Sequence, residues 1–164
     1  MIRAVNINDA ERICEIYNYY VANSAISFEE NEVSVSEMKG RIQGYTKLLP
    51  WLVFEEHGNM LGYAYATQWK TRSAYRYTAE ATVYLANESA GRGIGTQLYE
   101  ALINQLSDFS IHRVMGVIAL PNSASIALHE KVGFKKAAHF SEVGWKMGRW
   151  VDVGYWELSI ESKN

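Results

Sequence analysis

The chain has 164 residues and a mass of 18.6 kDa, about one domain's length, and is long enough to bury roughly two thirds of the surface its unfolded form exposes. Its 48% hydrophobic and 21% charged fractions, with two prolines and twelve glycines, exclude a chain that is mainly disordered, collagen-like or of low complexity. Sixteen Lys and Arg against 18 Asp and Glu leave a net charge of −2, which excludes a general pull toward nucleic acid or an acidic membrane and leaves room only for a local patch.

The lone cysteine, Cys14, excludes an internal disulfide, and there is neither a basic-then-apolar leader nor an apolar run of about 18 residues. A cytoplasmic protein is expected, with no membrane and no nucleic-acid partner, and without repeats or linkers residues 1–164 read as one domain. Ile2 to Val5 reads as a short strand. Asn8 and Glu11 form a capping-box-like start, after which Ala10, Ile13, Tyr17, Tyr20 and Val21 recur at helical spacing. Ala22 to Val33 has no period and reads as a loop over a site. Ser34 and Glu37 open a second helix carrying Met38, Ile42 and Tyr45. Trp51 to Glu55 and Met60 to Trp69, separated by His57-Gly58-Asn59, predict a hairpin, and Thr78 to Leu85 the next strand. Ile94, Leu98, Ala101, Leu102 and Leu106 mark a helix, Arg113 to Leu120 a strand, and Ser123 to Val132 a further helix. Two strands close the chain, around Ala138 to Met147 and Val151 to Leu158, turning at Gly148-Arg149. The order β-α-α-β-β-β-α-β-α-β-β predicts a mixed α/β fold, one sheet flanked by helices.

Gly91-Arg92-Gly93-Ile94-Gly95-Thr96 falls between an apolar strand and an amphipathic helix. Glycines there let backbone N–H groups approach an anion, and the helix start adds partial positive charge, which suits a pyrophosphate. The third glycine is wrongly spaced for a dinucleotide fingerprint, and no Lys-Ser/Thr pair follows for a P-loop. By itself the cluster reads equally as a plain strand-to-helix turn.

Taken together, Thr82-Val83-Tyr84-Leu85, the glycine loop, Asn122 at a strand end and Leu128-His129-Glu130-Lys131-Val132-Gly133-Phe134 resemble the GNAT superfamily of acyl-CoA N-acyltransferases. More narrowly, Ala74-Tyr75, Glu80-Ala81-Thr82-Val83-Tyr84, Leu120-Pro121-Asn122 and Gly148-Arg149-Trp150-Val151-Asp152-Val153-Gly154 are similar to the phosphinothricin N-acetyltransferase group, and the resemblance spans nearly the whole chain. It implies a GNAT-like, mostly antiparallel sheet in a single N-acetyltransferase domain. It also implies acetyl-CoA as co-substrate, its pyrophosphate on Arg92, Gly93, Ile94, Gly95 and Thr96, its pantetheine arm along Val83, Tyr84 and Leu85, and Asn122 in the cofactor site. Ala90 departs from the Arg or Gln usual at the start of such loops, which removes one side-chain contact to phosphate.

An ammonium must lose a proton before it attacks a thioester. The resemblance makes Glu80 the base and His129 the second acid–base group, and backbone N–H groups near Tyr84 and Leu85 serve the developing oxyanion if the strand splays from its neighbour. Without the resemblance, Glu80 reads as a solvated strand-end charge and His129 as a polar tip on a packed helix. The four histidines show no helical i,i+4 pair, so no metal is expected.

On the acceptor side the resemblance points to Phe28 and Tyr75 as walls of a side-chain slot and to Arg72 as partner of an acceptor carboxylate, although Arg72 also reads as a solvated loop charge. The expected function is acetyl transfer to the α-amino group of a small amino-acid-like acceptor such as phosphinothricin, methionine sulfoximine or methionine sulfone. The rivals are acetylation of another amine (a protein N-terminus, a lysine or a polyamine) and a non-catalytic acyl-CoA sensor. Trp145, Trp150 and Trp156 cluster in the last hairpin, and the resembled group is commonly dimeric, so a homodimer is expected.

Overall fold

The computed structural model describes residues 1–161. Its elements follow the order read from the sequence: β1 (Ile2–Ala4), α1 (Ala10–Asn23), α2 (Val35–Tyr45), β2 (Trp51–Glu56), β3 (Asn59–Gln68), β4 (Thr78–Leu85), α3 (Ile94–Leu106), β5 (Arg113–Leu120), α4 (Ser123–Lys131), β6 (Lys135–Lys146) and β7 (Arg149–Ser159). The start of α1 differs from expectation. Asn6 and Asp9 form the reciprocal capping box, around a short 3₁₀ turn at Ile7–Asp9, so Asn8 and Glu11 lie inside the first turns. Ser34 caps α2 as expected, accepting from the Glu37 N–H.

The seven strands form one sheet in the order β1-β2-β3-β4-β5-β7-β6, antiparallel throughout except for β4 beside β5. The β2–β3 hairpin turns on His57 and Gly58, both at positive φ (51° and 79°), and β6–β7 turns on Met147 and Gly148 (53° and 73°). Two left-handed residues give the tight turn whose twist matches paired strands, which is why glycine stands second in each.

Strand alternation separates two cores. Leu52, Ala64, Ala79, Ala81, Val114, Ile118 and Trp156 face α3 and α4, where Leu98, Leu102 and Leu106 meet them. Trp51, Val53, Tyr63 and Tyr84 point the other way, onto Ile13, Tyr17 and Val21 of α1 and Met38 and Ile42 of α2. Glu80 and Thr82 have the parity of Tyr84 and so share the α1–α2 face. His129, on α4, belongs to the opposite one.

Candidate active site

The parallel pair is short. Only Thr78↔Arg113, Ala79↔Val114 and Glu80↔Met115 are in register, after which β4 stays on β3 as far as Leu85 and β5 stays on β7 as far as Leu120. The two strands therefore diverge into a wedge. The Trp69 N–H donates to the Thr78 carbonyl at 3.3 Å, which sets the phase of the β3–β4 ladder. Thr78, Glu80, Thr82 and Tyr84 turn their main chain toward β3, and Ala79, Ala81, Val83 and Leu85 turn theirs toward β5 and the wedge. The splay expected of this strand is present, but the wedge-facing N–H groups are those of Val83 and Leu85; that of Tyr84 turns to β3. The wedge-facing carbonyls meet two hydroxyl groups: Tyr20 donates to Leu85 at 2.6 Å, and the Tyr99 oxygen lies 3.2 Å from the Ala81 carbonyl. Val83 lies between them.

Three cavities meet along this wedge. A cleft of about 390 Å³ runs from the glycine loop past Val83, Tyr84 and Leu85 to Asn122 and Leu128. A small space of about 50 Å³ lies in the wedge itself, lined by Thr82, Val117, Tyr99, Ser125 and His129. A third, of about 460 Å³, opens on the α1–α2 face and is lined by Glu80, Tyr17, Phe28, Glu29, Tyr65 and Val117 among others. Ile26 borders all three.

At the head of the first cleft Gly91 and Gly93 both sit at φ 76°, and a Cβ on either would meet nothing within 4 Å. Only glycine holds that backbone cheaply, and the open space above it leaves room for an anion. The first intrahelical bond of α3 runs from Gln97 N–H to Gly93, so the N–H groups of Ile94, Gly95 and Thr96 lack helical acceptors. Ile94 itself is core. Gly95 lets α3 approach α4, since a Cβ there would stand 3.1 Å from Leu128. Arg92 is exposed and paired with Glu56 at 2.7 Å, and Asn122 caps α4 by accepting from the Ser125 N–H at 3.1 Å. This backbone cradle and apolar cleft fit a CoA pyrophosphate and pantetheine arm.

Burial pushes the Glu80 carboxyl above its ordinary value against the weaker pull of Lys70, and this half-buried carboxyl lines the third cavity. Glu29, on its rim, is held low by a two-pronged Arg41 contact (2.9 and 2.5 Å) and by the Tyr17 hydroxyl, which also meets Ser27 Oγ at 2.7 Å. Two carboxylates with opposite shifts thus share one pocket, whose lining includes no Lys or Arg. His129 is 3% exposed. Its Nδ1 faces the Ser125 carbonyl at 2.7 Å, which can only accept, so the proton sits on Nδ1 and Nε2 is left to accept from the Tyr99 hydroxyl at 2.8 Å. Burial lowers the His129 pKa, and the ring is neutral at pH 7.

The structure thus brings together Glu80, Phe28, Val83, Tyr84, Leu85, Gly93, Gly95, Thr96, Asn122 and His129 around connected cavities. Arg72 and Tyr75 are not among the cavity-lining residues. Both lie in the exposed β3–β4 connection, Tyr75 edge-on to Trp69. Sequence reasoning missed Tyr17, Tyr20, Glu29 and Tyr99. The first two stood in an apolar helical stripe and read as core; Tyr99 gave no signal, because its partner lies 30 residues away. Among the described residues no cluster of three His, Cys, Asp or Glu is arranged to hold a metal, and no helix is long and apolar enough to cross a membrane.

A strand pair splayed beside a glycine-opened helix, with a half-buried carboxyl on the far face, is the arrangement of an acyl-CoA-type acyltransferase site. Residues 2–154 match the acetyltransferase (GNAT) domain family, and the chain belongs to it. It is 34% identical to a phosphinothricin N-acetyltransferase of Streptomyces viridochromogenes, over 98% of this chain and 87% of that protein. It is 32% identical to the L-methionine sulfoximine/L-methionine sulfone acetyltransferase of Pseudomonas aeruginosa strain PAO1, over 98% and 94%. Among solved structures, yncA from Salmonella typhimurium with its cofactor acetyl-CoA superposes with a TM-score of 0.96 at 33% identity, covering 98% of this chain and 94% of that one.

Proposed function

We propose that this acetyltransferase moves the acetyl group of acetyl-CoA to the α-amino group of a small amino-acid-like acceptor, of the methionine sulfoximine, methionine sulfone or phosphinothricin kind. The observation that carries the reading is the wedge, which joins a cleft suited to CoA on one side to a pocket holding a raised-pKa carboxylate on the other. When bound, acetyl-CoA supplies an activated acetyl thioester. The N–H groups of Ile94, Gly95 and Thr96 receive the pyrophosphate, and the main chain of Val83 and Leu85, with Tyr20 and Leu128, lines the arm. Glu80 takes the proton of the acceptor ammonium, a role for which burial makes it a better base than a solvated glutamate. Both nitrogens of His129 are engaged, so any proton it exchanges passes through the Tyr99 hydroxyl. Phe28 walls the acceptor pocket. Arg72 and Tyr75 are proposed to meet the part of the acceptor that projects beyond the pocket, Arg72 taking the carboxylate.

One observation favours a second reading. A pocket with two carboxylates and no cation in its lining suits an amine that brings no carboxylate, such as a lysine side chain or a polyamine. A screen following thiol release from acetyl-CoA over amino acids, their sulfone and phosphinate analogues, and polyamines decides between them. Turnover confined to amino acids and analogues supports the first reading, and turnover confined to polyamines or peptide lysines overturns it.

A cytoplasmic homodimer is part of the same proposal. It is supported by the single, buried Cys14 and by Val143, Trp145, Met147 and Trp150, all more than half exposed around the last hairpin. Light scattering of the native protein tests the dimer.

A further inference from the structure

Lys146, the last residue of β6, is 4% exposed, an unusual place for an ammonium. It lines none of the three cavities. Its Nζ donates to the Val21 carbonyl at 2.9 Å and to the Ser27 carbonyl at 2.6 Å. Val21 lies in the last turn of α1, where carbonyls lack helical partners and a cation is favoured. Ser27 lies in the loop that follows. One ammonium therefore ties the end of α1 and the middle of the loop to the far end of the sheet. A second contact reinforces it: a Cβ on Gly144 would stand 2.4 Å from the Phe28 ring, so the ring lies directly on the β6 backbone.

The segment held by these two contacts, beside those of Tyr17 on Ser27 and Arg41 on Glu29, is the one that borders the site. Ile26 borders the cleft, the wedge space and the acceptor pocket, and Ser27, Phe28 and Glu29 line the pocket. The segment itself is irregular and has no ladder to hold it. We infer that Lys146 is a positioning residue for the acceptor: from about 120 residues away in sequence it sets the place of Ile26 to Glu29, and with it the shape of the acceptor pocket, while leaving the CoA-side cradle alone. The kinetic consequence rests on the acetyl-transfer reading above; the structural one does not.

The test uses Lys146→Met, which keeps the aliphatic stem and removes the donors, and Gly144→Ala, which pushes Phe28 away with Lys146 intact. Hydrogen–deuterium exchange of the whole protein should show residues 22–33 exchanging at least tenfold faster in Lys146→Met, with residues 78–85 and 91–96 unchanged. On the best acceptor from the screen, both variants should lose at least tenfold in kcat/KM for acceptor while the acetyl-CoA dissociation constant stays within twofold. Unchanged exchange over 22–33, or equal losses toward acceptor and acetyl-CoA, would overturn the inference. If Lys146→Met does not fold, Lys146→Gln, which keeps an N–H donor but loses the charge and part of the reach, carries the decision on both readouts. If the wild-type protein acetylates nothing, the acceptor proposal fails, and the exchange measurement still decides whether the clip exists.

Discussion

Gly116 lies on β5 one residue past the last β4–β5 pair, directly against the imidazole of His129. A Cβ at this position would stand 2.5 Å from Cδ2 and 2.6 Å from Nε2, distances no real pair of atoms keeps. The ring cannot swing aside cheaply, because Ser125 and Tyr99 hold its two nitrogens and the Tyr99 and Phe134 rings pack edge-to-face with it. Gly116→Ala must therefore overpack the site, at about 1–3 kcal/mol, and weaken two buried hydrogen bonds at about 0.5–1.5 kcal/mol each. The expected loss is about 2–6 kcal/mol, a fall in melting temperature on the order of 10 °C. Urea unfolding followed by circular dichroism measures it. His129→Ala opens the space that the new methyl needs, so the double variant should be more stable than the summed single effects predict, by about 1 kcal/mol or more. A Gly116→Ala protein within about 0.5 kcal/mol of wild type would refute the packing argument and the placement of the ring.

Glu80→Gln should lower kcat by about 10²- to 10⁴-fold while calorimetry finds acetyl-CoA binding unchanged, and a loss under threefold would remove Glu80 as the base. Because burial raises its pKa, the limb of the wild-type kcat/KM profile that Glu80 governs should climb with pH about a midpoint above the ordinary glutamate value of 4.5. His129 titrates lower folded than unfolded, so the unfolded chain takes up the extra proton and stability should fall as pH drops below about 6.5; His129→Ala should remove that slope from a series of urea curves. Arg72→Ala should raise KM about 10-fold or more for an amino-acid acceptor and little for its amide, and equal effects would assign Arg72 elsewhere. Gly93→Val has room for its side chain but not the backbone for it, so it should stay folded, losing about 1–2 kcal/mol, and bind acetyl-CoA more weakly than wild type. Wild-type affinity in that variant, or equal binding of CoA and pantetheine, would reduce the loop to a turn.

Every helix and strand was legible because each carries a local signal. The stripe of Ile94, Leu98 and Leu102 has the helical period, and Gly58 and Gly148 mark the two hairpin turns, although the second turns on Met147 and Gly148, one residue before the Gly148-Arg149 read from the sequence. The α1 cap was misread by two residues because Asn6, Asn8, Asp9 and Glu11 offer overlapping pairs, and the choice depends on where Arg3 pulls Asp9. The site was legible in part. The glycine loop and Glu80 sit on regular elements whose parity can be counted. Tyr99, Glu29 and Lys146 matter through partners that only the folded chain brings near, and the pairing of Lys146 with Val21 and Ser27 leaves no trace in spacing. Arg72 shows the converse: its charge made it visible in sequence, yet it stands on an exposed connection outside the cavities.

The three-residue seam between β4 and β5 also orders events in time. Every ladder of the first four strands, β1 on β2, β2 on β3 and β3 on β4, joins residues no later than Leu85, and Tyr20 reaches the Leu85 carbonyl from within the same stretch. The first residue that can close the seam is Arg113. At a synthesis rate of about 5–20 residues per second, the N-terminal half has on the order of seconds to pair before β5 exists. The four strands that carry Glu80 can then be paired before the half that carries Asn122 and His129 arrives, and the seam from which the wedge begins joins the two halves afterwards.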